Sequence, residues 1–122
     1  MRSLHPWFGP AAWALFIFIL SSQPDIPGAK LFLWSDKIGH VLLYMPLGFL
    51  LVRAMILKPG PFRKSVVLWA VVLGSLYAVT DEVHQMFVPG RTAELADLMA
   101  DMIGVFIGVQ FYRIKRNYGT RR

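Results

Sequence analysis

DKIGHVLLYMPLGFLLVRAMIL, residues 36–57, decides the architecture. It is long enough for one bilayer crossing, which takes about 20 apolar residues, and it keeps its polar side chains to one side. Asp36, His40 and Tyr44 are four apart, so they share a helix face that runs inward from one end. Pro46 removes the helical partner of the Leu42 carbonyl and predicts a kink. Lys58-Pro59-Gly60-Pro61 then ends the helix, because two prolines and a glycine cannot continue it.

Three more apolar segments flank this one. Trp7 to Leu20 is closed by Ser21-Ser22-Gln23-Pro24-Asp25 and predicts a helix over about residues 5–22. Arg2 ahead of it also suits a signal peptide, but the residues after it offer no convincing small-residue cleavage site, which favours a retained helix. A third span is predicted over about 65–85 and a fourth over about 92–112, separated by the turn Val88-Pro89-Gly90-Arg91. The basic segment 113–122 reads as a tail with too few apolar residues to pack.

Composition agrees. The 122 residues are 56% hydrophobic and 16% charged, with mean hydropathy +0.50, whereas soluble domains carry about 25% charge. The expectation is an all-α, integral membrane four-helix bundle forming one domain. The absence of cysteine excludes disulfides, thiol nucleophiles and thiolate metal sites.

The net charge of +6 is explained by position. All but Lys30, Lys37 and Arg91 of the Lys and Arg residues fall at the termini, in the middle loop or at its edge. Basic residues near span ends are retained on the cytoplasmic side, which predicts both termini inside, in the cytoplasmic (inner) membrane. The seven acidic residues lie toward the opposite, outer side. No nucleic-acid partner is expected, since basic segments beside anionic headgroups account for the charge.

Polar residues inside the spans carry the functional signal, since an Asp near mid-membrane costs at least about 2.5 to 3.5 kcal/mol on insertion scales. In the third span Asp81, His84 and Gln85 share a face, with Glu82 beside them. In the fourth, Glu94, Asp97, Asp101, Gly104 and Gly108 form a stripe, acidic at one end and small at the other, and the glycines let a helix approach closely. The short turn between these spans predicts that they face each other. Asp81, Glu82, Asp97 and Asp101 must then share protons, pair with a cation or bind a metal. Arg91 at the mouth has a planar fork suited to a carboxylate or a phosphate.

These residues together resemble the VanZ-like membrane proteins. The resemblance runs from about Leu15 to Val109, through Leu20-Ser21-Ser22-Gln23-Pro24, Asp36-Lys37-Ile38-Gly39-His40 with Tyr44 and Gly48, Thr80-Asp81-Glu82-Val83-His84-Gln85, and Pro89-Gly90-Arg91 followed by Asp97, Asp101 and Gly104. It implies a multi-pass membrane protein of the bacterial cell envelope, linked in some members to teicoplanin tolerance, without a settled activity. The family's motif residues fall here on Asp36, His40, Tyr44, Asp81, Glu82, Gln85, Arg91, Asp97 and Asp101.

Blander readings stand beside these. The histidine at 40 taken alone suits a carbonyl exposed by the Pro46 kink, and Asp36 suits a helix cap as well as a site. His84 reads as a solvated interfacial side chain, and Asp25, Lys30 and Glu94 read as surface residues. A polar network also serves as interhelical glue worth about 0.6 kcal/mol per hydrogen bond, but uncharged side chains would do that at lower insertion cost.

Two function classes follow. One is a membrane-embedded enzyme acting on a lipid or lipid-linked envelope precursor. Its catalytic candidates are His40, Asp81, Glu82, Asp97 and Asp101, and Asp36, Tyr44, Gln85 and Arg91 would bind substrate. A divalent metal is an open cofactor, with His40, Asp81 and Asp101 as candidate ligands; oxygen and nitrogen donors suit Mg, Mn or Zn, although no known metal spacing recurs. The other class is a non-catalytic binder of envelope precursors or glycopeptide antibiotic. A proton-coupled carrier ranks third, since polar positions stop at Tyr44, Thr80 and Asp101 apart from Arg53; an oligomer would have to supply the missing path.

Overall fold

The computed structural model describes residues 5–24, 34–61 and 63–121. They form four helices: α1 (Phe8–Ser21), α2 (Ser35–Leu57), α3 (Val66–Gln85) and α4 (Leu95–Gly119), with a 3-10 turn, Arg63–Ser65, leading into α3. Among the described residues there is no strand. Asp25 and Lys30, expected at the surface, lie outside the described residues.

Helices α2, α3 and α4 are long and apolar enough to cross a membrane. The first helix has 14 residues, about 21 Å at 1.5 Å per residue, short of a hydrocarbon core of about 30 Å. The span expected over 5–22 is therefore a shorter apolar helix. Pro10 sits in its first turn, where the missing N–H costs nothing. After its last turn Ser22 Oγ donates back to the Phe18 carbonyl at 2.7 Å, and Pro24 follows.

The α2 helix runs unbroken through Pro46. Beside the Leu42 carbonyl that Pro46 deprives of a partner, the Leu43 carbonyl accepts the Trp13 indole N–H at 2.9 Å, tying α1 to this stretch. The basic segment stays unpacked, as expected, with residues 113–121 exposed, but α4 runs past the expected end at 112 and continues through it to Gly119. No breaker precedes that glycine, Arg113 donates to Gln110 one turn back at 2.9 Å, and cations in the last turns favour the helix dipole.

Packing centres on α2 and α4, which run parallel. A Cβ at Gly104 would overlap the Val41 carbonyl, one at Gly108 the Met45 carbonyl, and one at Gly48 the Val105 carbonyl. These positions let the two backbones approach as closely as membrane helices do, with little help from a hydrophobic driving force. Tyr44, Leu47, Val52, Val105 and Val109 are buried along this seam, with Ala70 and Ala78 of α3 and Ile17 of α1 completing the core. The outside is apolar too: Leu15, Leu42, Leu68, Leu76, Phe106 and Phe111 are each more than half exposed, as suits a surface solvated by lipid.

Candidate functional site

The parallel register of α2 and α4 places residue n of one near residue n + 60 of the other, and that offset builds one end of the bundle. Lys37 Nζ donates to Asp36 Oδ2 at 2.9 Å, to Glu94 Oε2 at 2.8 Å and to Asp97 Oδ1. One turn deeper, His40 Nδ1 lies 2.7 Å from Asp101 Oδ1, and its Nε2 is 3.7 Å from Asp97 Oδ2. Asp101 has no solvent exposure. Both helices present their N-terminal, dipole-positive ends here, which favours the carboxylates in their first turns.

Asp81 is the hub between α1, α2 and α3. Its Oδ2 accepts from Ser21 Oγ at 2.9 Å and from the Tyr44 hydroxyl at 2.8 Å, with the Gln85 amide further off at 3.4 Å. Asp81, Glu82, Gln85 and Tyr44 are all buried. Glu82 Oε2 accepts the Glu94 backbone N–H at 3.2 Å, joining α3 to the start of α4. Arg91 donates from Nε to the Gln23 carbonyl at 2.8 Å and from Nη2 to the Leu20 carbonyl at 3.2 Å. It thereby caps the carbonyl end of α1 with positive charge.

Among the described residues, three oxygens in this network are buried without a hydrogen-bond partner: Asp81 Oδ1, Glu82 Oε1 and Asp101 Oδ2. Buried carboxylate oxygens are normally satisfied, and leaving one unmade costs the full desolvation of the group. Two of the residues that carry them, Glu82 and Asp101, belong to one constellation with His40, in which a ligand atom of each lies within 4.8 Å of the others. Neighbouring ligands around an ion with bonds of about 2.1 Å are ~3 to 3.5 Å apart, so a small contraction would seat a divalent cation there. Its donors are one nitrogen and carboxylate oxygens, which suit Mg, Mn or Zn. Asp36, Glu94 and Asp97 form a second such group, but Lys37 already fills it.

The third orphan oxygen belongs to a residue on a cavity of about 240 Å³, whose walls include Asp81, Ser21, His40, Gln85, Asp36 and Arg91. The described part of this end holds six carboxylates, Asp36, Asp81, Glu82, Glu94, Asp97 and Asp101, against the permanent cations Lys37 and Arg91 and two histidines, His40 and His84. The cluster has room, charge and open lone pairs for a further cation.

The structure thus brings all nine sequence-selected residues to one end, with several corrections of detail. The acidic faces of α3 and α4 do not simply close on each other: Asp97 and Asp101 turn to Lys37 and His40 on α2, and Asp81 turns to hydroxyls. The reason is the glycine seam, which seats α4 on α2. His40 bonds Asp101 rather than a carbonyl freed by Pro46. Asp36 does not cap α2, since Trp34, with φ 73°, holds that position without a side-chain cap. Glu94 is a surface residue, as expected, and also carries part of the Lys37 cluster. His84 is held by Ser22 Oγ at 2.9 Å and stacks on Phe18 at 4.6 Å between centroids.

Sequence reasoning missed Lys37, Ser21 and Ser22 as members of the site. Lys37 follows Asp36 directly and reads as its surface neighbour, although its place one turn before His40 was a usable signal. Ser21 and Ser22 stand in the stretch that closes the first segment, where hydroxyls read as span-end markers. Tyr77 is a further polar side chain, donating to the Ala14 carbonyl.

A family model described as VanZ/LLP1 matches residues 7–116. No curated protein and no solved structure matches the chain.

Proposed function

The chain belongs to the VanZ/LLP1 family, and from that premise we propose that its polar end is a reaction site at the outer face of the cytoplasmic membrane, with both termini inside. The substrate class is a lipid or lipid-linked envelope precursor carrying an anionic phosphate or ester group. The observation that carries this reading is the set of three buried carboxylate oxygens without partners. A network serving only to glue helices has no reason to leave them open, and serine or asparagine would glue at lower cost.

Roles follow from the geometry. His40, Glu82 and Asp101 would hold a divalent cation, which when bound supplies Lewis-acid polarisation of a phosphoryl or carbonyl oxygen. Asp81 is the general base: Ser21 and Tyr44 fix one of its oxygens, and the other is left to take a proton from water or a substrate hydroxyl. Arg91 brings positive charge to the cavity wall while holding α1 in place. Lys37 keeps Asp36, Glu94 and Asp97 together at the entrance, and the charge it neutralises there lets an anionic headgroup approach.

The test is conversion. Detergent-purified protein incubated with an envelope lipid extract and a divalent cation should change the lipid species seen by mass spectrometry. Asp81→Asn, folded but without a base, should lower the rate by at least about 100-fold. An unchanged lipid profile with folded wild-type protein would favour the binding reading, in which the same cavity recognises an envelope precursor without turnover.

A further inference from the structure

The opposite end of the bundle holds a different kind of site. The C-terminal turns of α2 and α4, the 3-10 turn and the start of α3 surround a cavity of about 520 Å³ whose walls carry Arg63, Lys64, Arg113 and Arg116, with Ser65 and Asn117 between them. Every described carboxylate belongs to the other end of the chain's fold: the sequence has no Asp or Glu from 37 to 80 and none after 101. These four cations therefore converge without an acidic side chain to neutralise them, and like charges held together in a cleft demand an anion from outside.

A second cavity, of about 350 Å³, adjoins the first. The two share Met55, Pro59, Arg63 and Val66 as walls, and the second is finished by Trp7, Leu73 and the Lys58 to Pro61 turn. One chamber is thus cationic and its neighbour is mainly apolar, with Arg63 on the boundary and a Lys58–His5 pair, 2.7 Å apart, in the neighbour's wall. That pairing fits an amphiphile, with a phosphate-bearing head in the first chamber and hydrocarbon in the second. A free anion would leave the apolar chamber empty. Arginine suits the head, because its planar fork makes paired bonds to phosphate oxygens.

We propose that this end is a binding site for one anionic glycerophospholipid, its headgroup phosphate among Arg63, Lys64, Arg113 and Arg116 and an acyl chain against Met55, Val66, Trp7 and Leu73. The site is separate from the polar end and does not depend on the chemistry assigned there. It goes beyond the general attraction of basic tails to anionic membranes, since it assigns particular residues, a stoichiometry of one and an apolar contribution.

Native mass spectrometry of the full chain in detergent, titrated with phosphatidylglycerol and with phosphatidylcholine, reads the site. One phosphatidylglycerol per chain is expected, well ahead of phosphatidylcholine. At about 1 kcal/mol per cation, the pair Arg63→Gln with Arg116→Gln should weaken phosphatidylglycerol roughly 30-fold. The pair Arg53→Gln with Arg121→Gln removes the same charge outside both chambers, where no headgroup phosphate is held and solvent and salt screen the cations, and should leave binding within a factor of about three of wild type. Val66→Phe, which narrows the shared wall, should weaken the lipid without affecting inorganic phosphate. Equal loss from the two arginine pairs would reduce the site to diffuse charge and overturn the proposal. So would equal retention of phosphatidylcholine, or inorganic phosphate displacing the lipid at matched concentration.

Discussion

The two ends of this bundle solve opposite electrostatic problems. At the polar end acids exceed cations, most of the side chains are buried or half-buried, and charges are held across elements: Lys37 by Glu94 and Asp97 as well as by its neighbour Asp36, and His40 by Asp101. At the basic end no Asp or Glu stands among the described residues, and the cations lie exposed around two cavities. The difference teaches what each end tolerates. A buried network depends on register, so one residue out of place affects all of it, whereas cations exposed around a cleft do not hold the helices together and are screened by salt.

The largest effect that would break this contrast is a change in the α2–α4 seam. Gly108→Leu drives a side chain into the Met45 carbonyl, and backbone cannot yield as a side-chain tip does. We expect a loss of more than about 3 kcal/mol, beyond ordinary overpacking of 1–3, with the polar cluster lost as well. Gly119→Ala, with nothing within 4 Å of a Cβ, should leave thermal unfolding in detergent unchanged.

Next in size is Lys37→Met. It removes the cation that Asp36, Glu94 and Asp97 share, and breaking a buried pair from one side costs about 3 to 5 kcal/mol. The exposure of Glu94, 46% at its side chain, puts the expectation at the lower bound. Adding Asp97→Asn should recover part of the loss, a coupling that a double-mutant cycle measures directly. The matching change at the basic end, Lys64→Met, should stay within about 0.5 kcal/mol, as surface substitutions do. If both lysines cost the same, the contrast between the ends is wrong.

How much of this was legible in the sequence depends on whether a feature is local. The Asp36, His40 and Tyr44 face and the Asp97 to Gly108 stripe follow from helix period alone, and they assembled as read. The close pairing of α2 with α4 did not, because parallel helices far apart in the chain leave no local trace, and the short turn before α4 pointed to α3 instead. Gly104 and Gly108 announced a close neighbour without naming it. The helical tail beyond 112 was hidden by its charge, which opposes burial but not helix formation.

A smaller effect sharpens the picture of Asp81. Ser21→Ala removes one of the donors to its Oδ2 while Tyr44 remains, so a loss of about 1 kcal/mol is expected. Activity should fall further than stability does, since a carboxylate with one anchor is less well aimed. Ser22→Ala, which frees the half-buried His84 and the solvent-side Phe18 carbonyl but no bond to Asp81, should change stability by less than Ser21→Ala and leave activity intact. Reversed ranks for these two serines in unfolding and turnover assays would move the centre of the site away from Asp81.

The central claim is that the unpartnered oxygens of Glu82 and Asp101 exist to receive a cation. Elemental analysis and calorimetric titration with Mn²⁺ and Zn²⁺, made on detergent-purified wild type and Glu82→Gln, test it most directly. The account predicts one divalent ion per wild-type chain and its loss in Glu82→Gln at unchanged helix content and unfolding temperature. A wild-type protein that binds no ion at millimolar metal, or a Glu82→Gln variant that keeps a full equivalent, would contradict it.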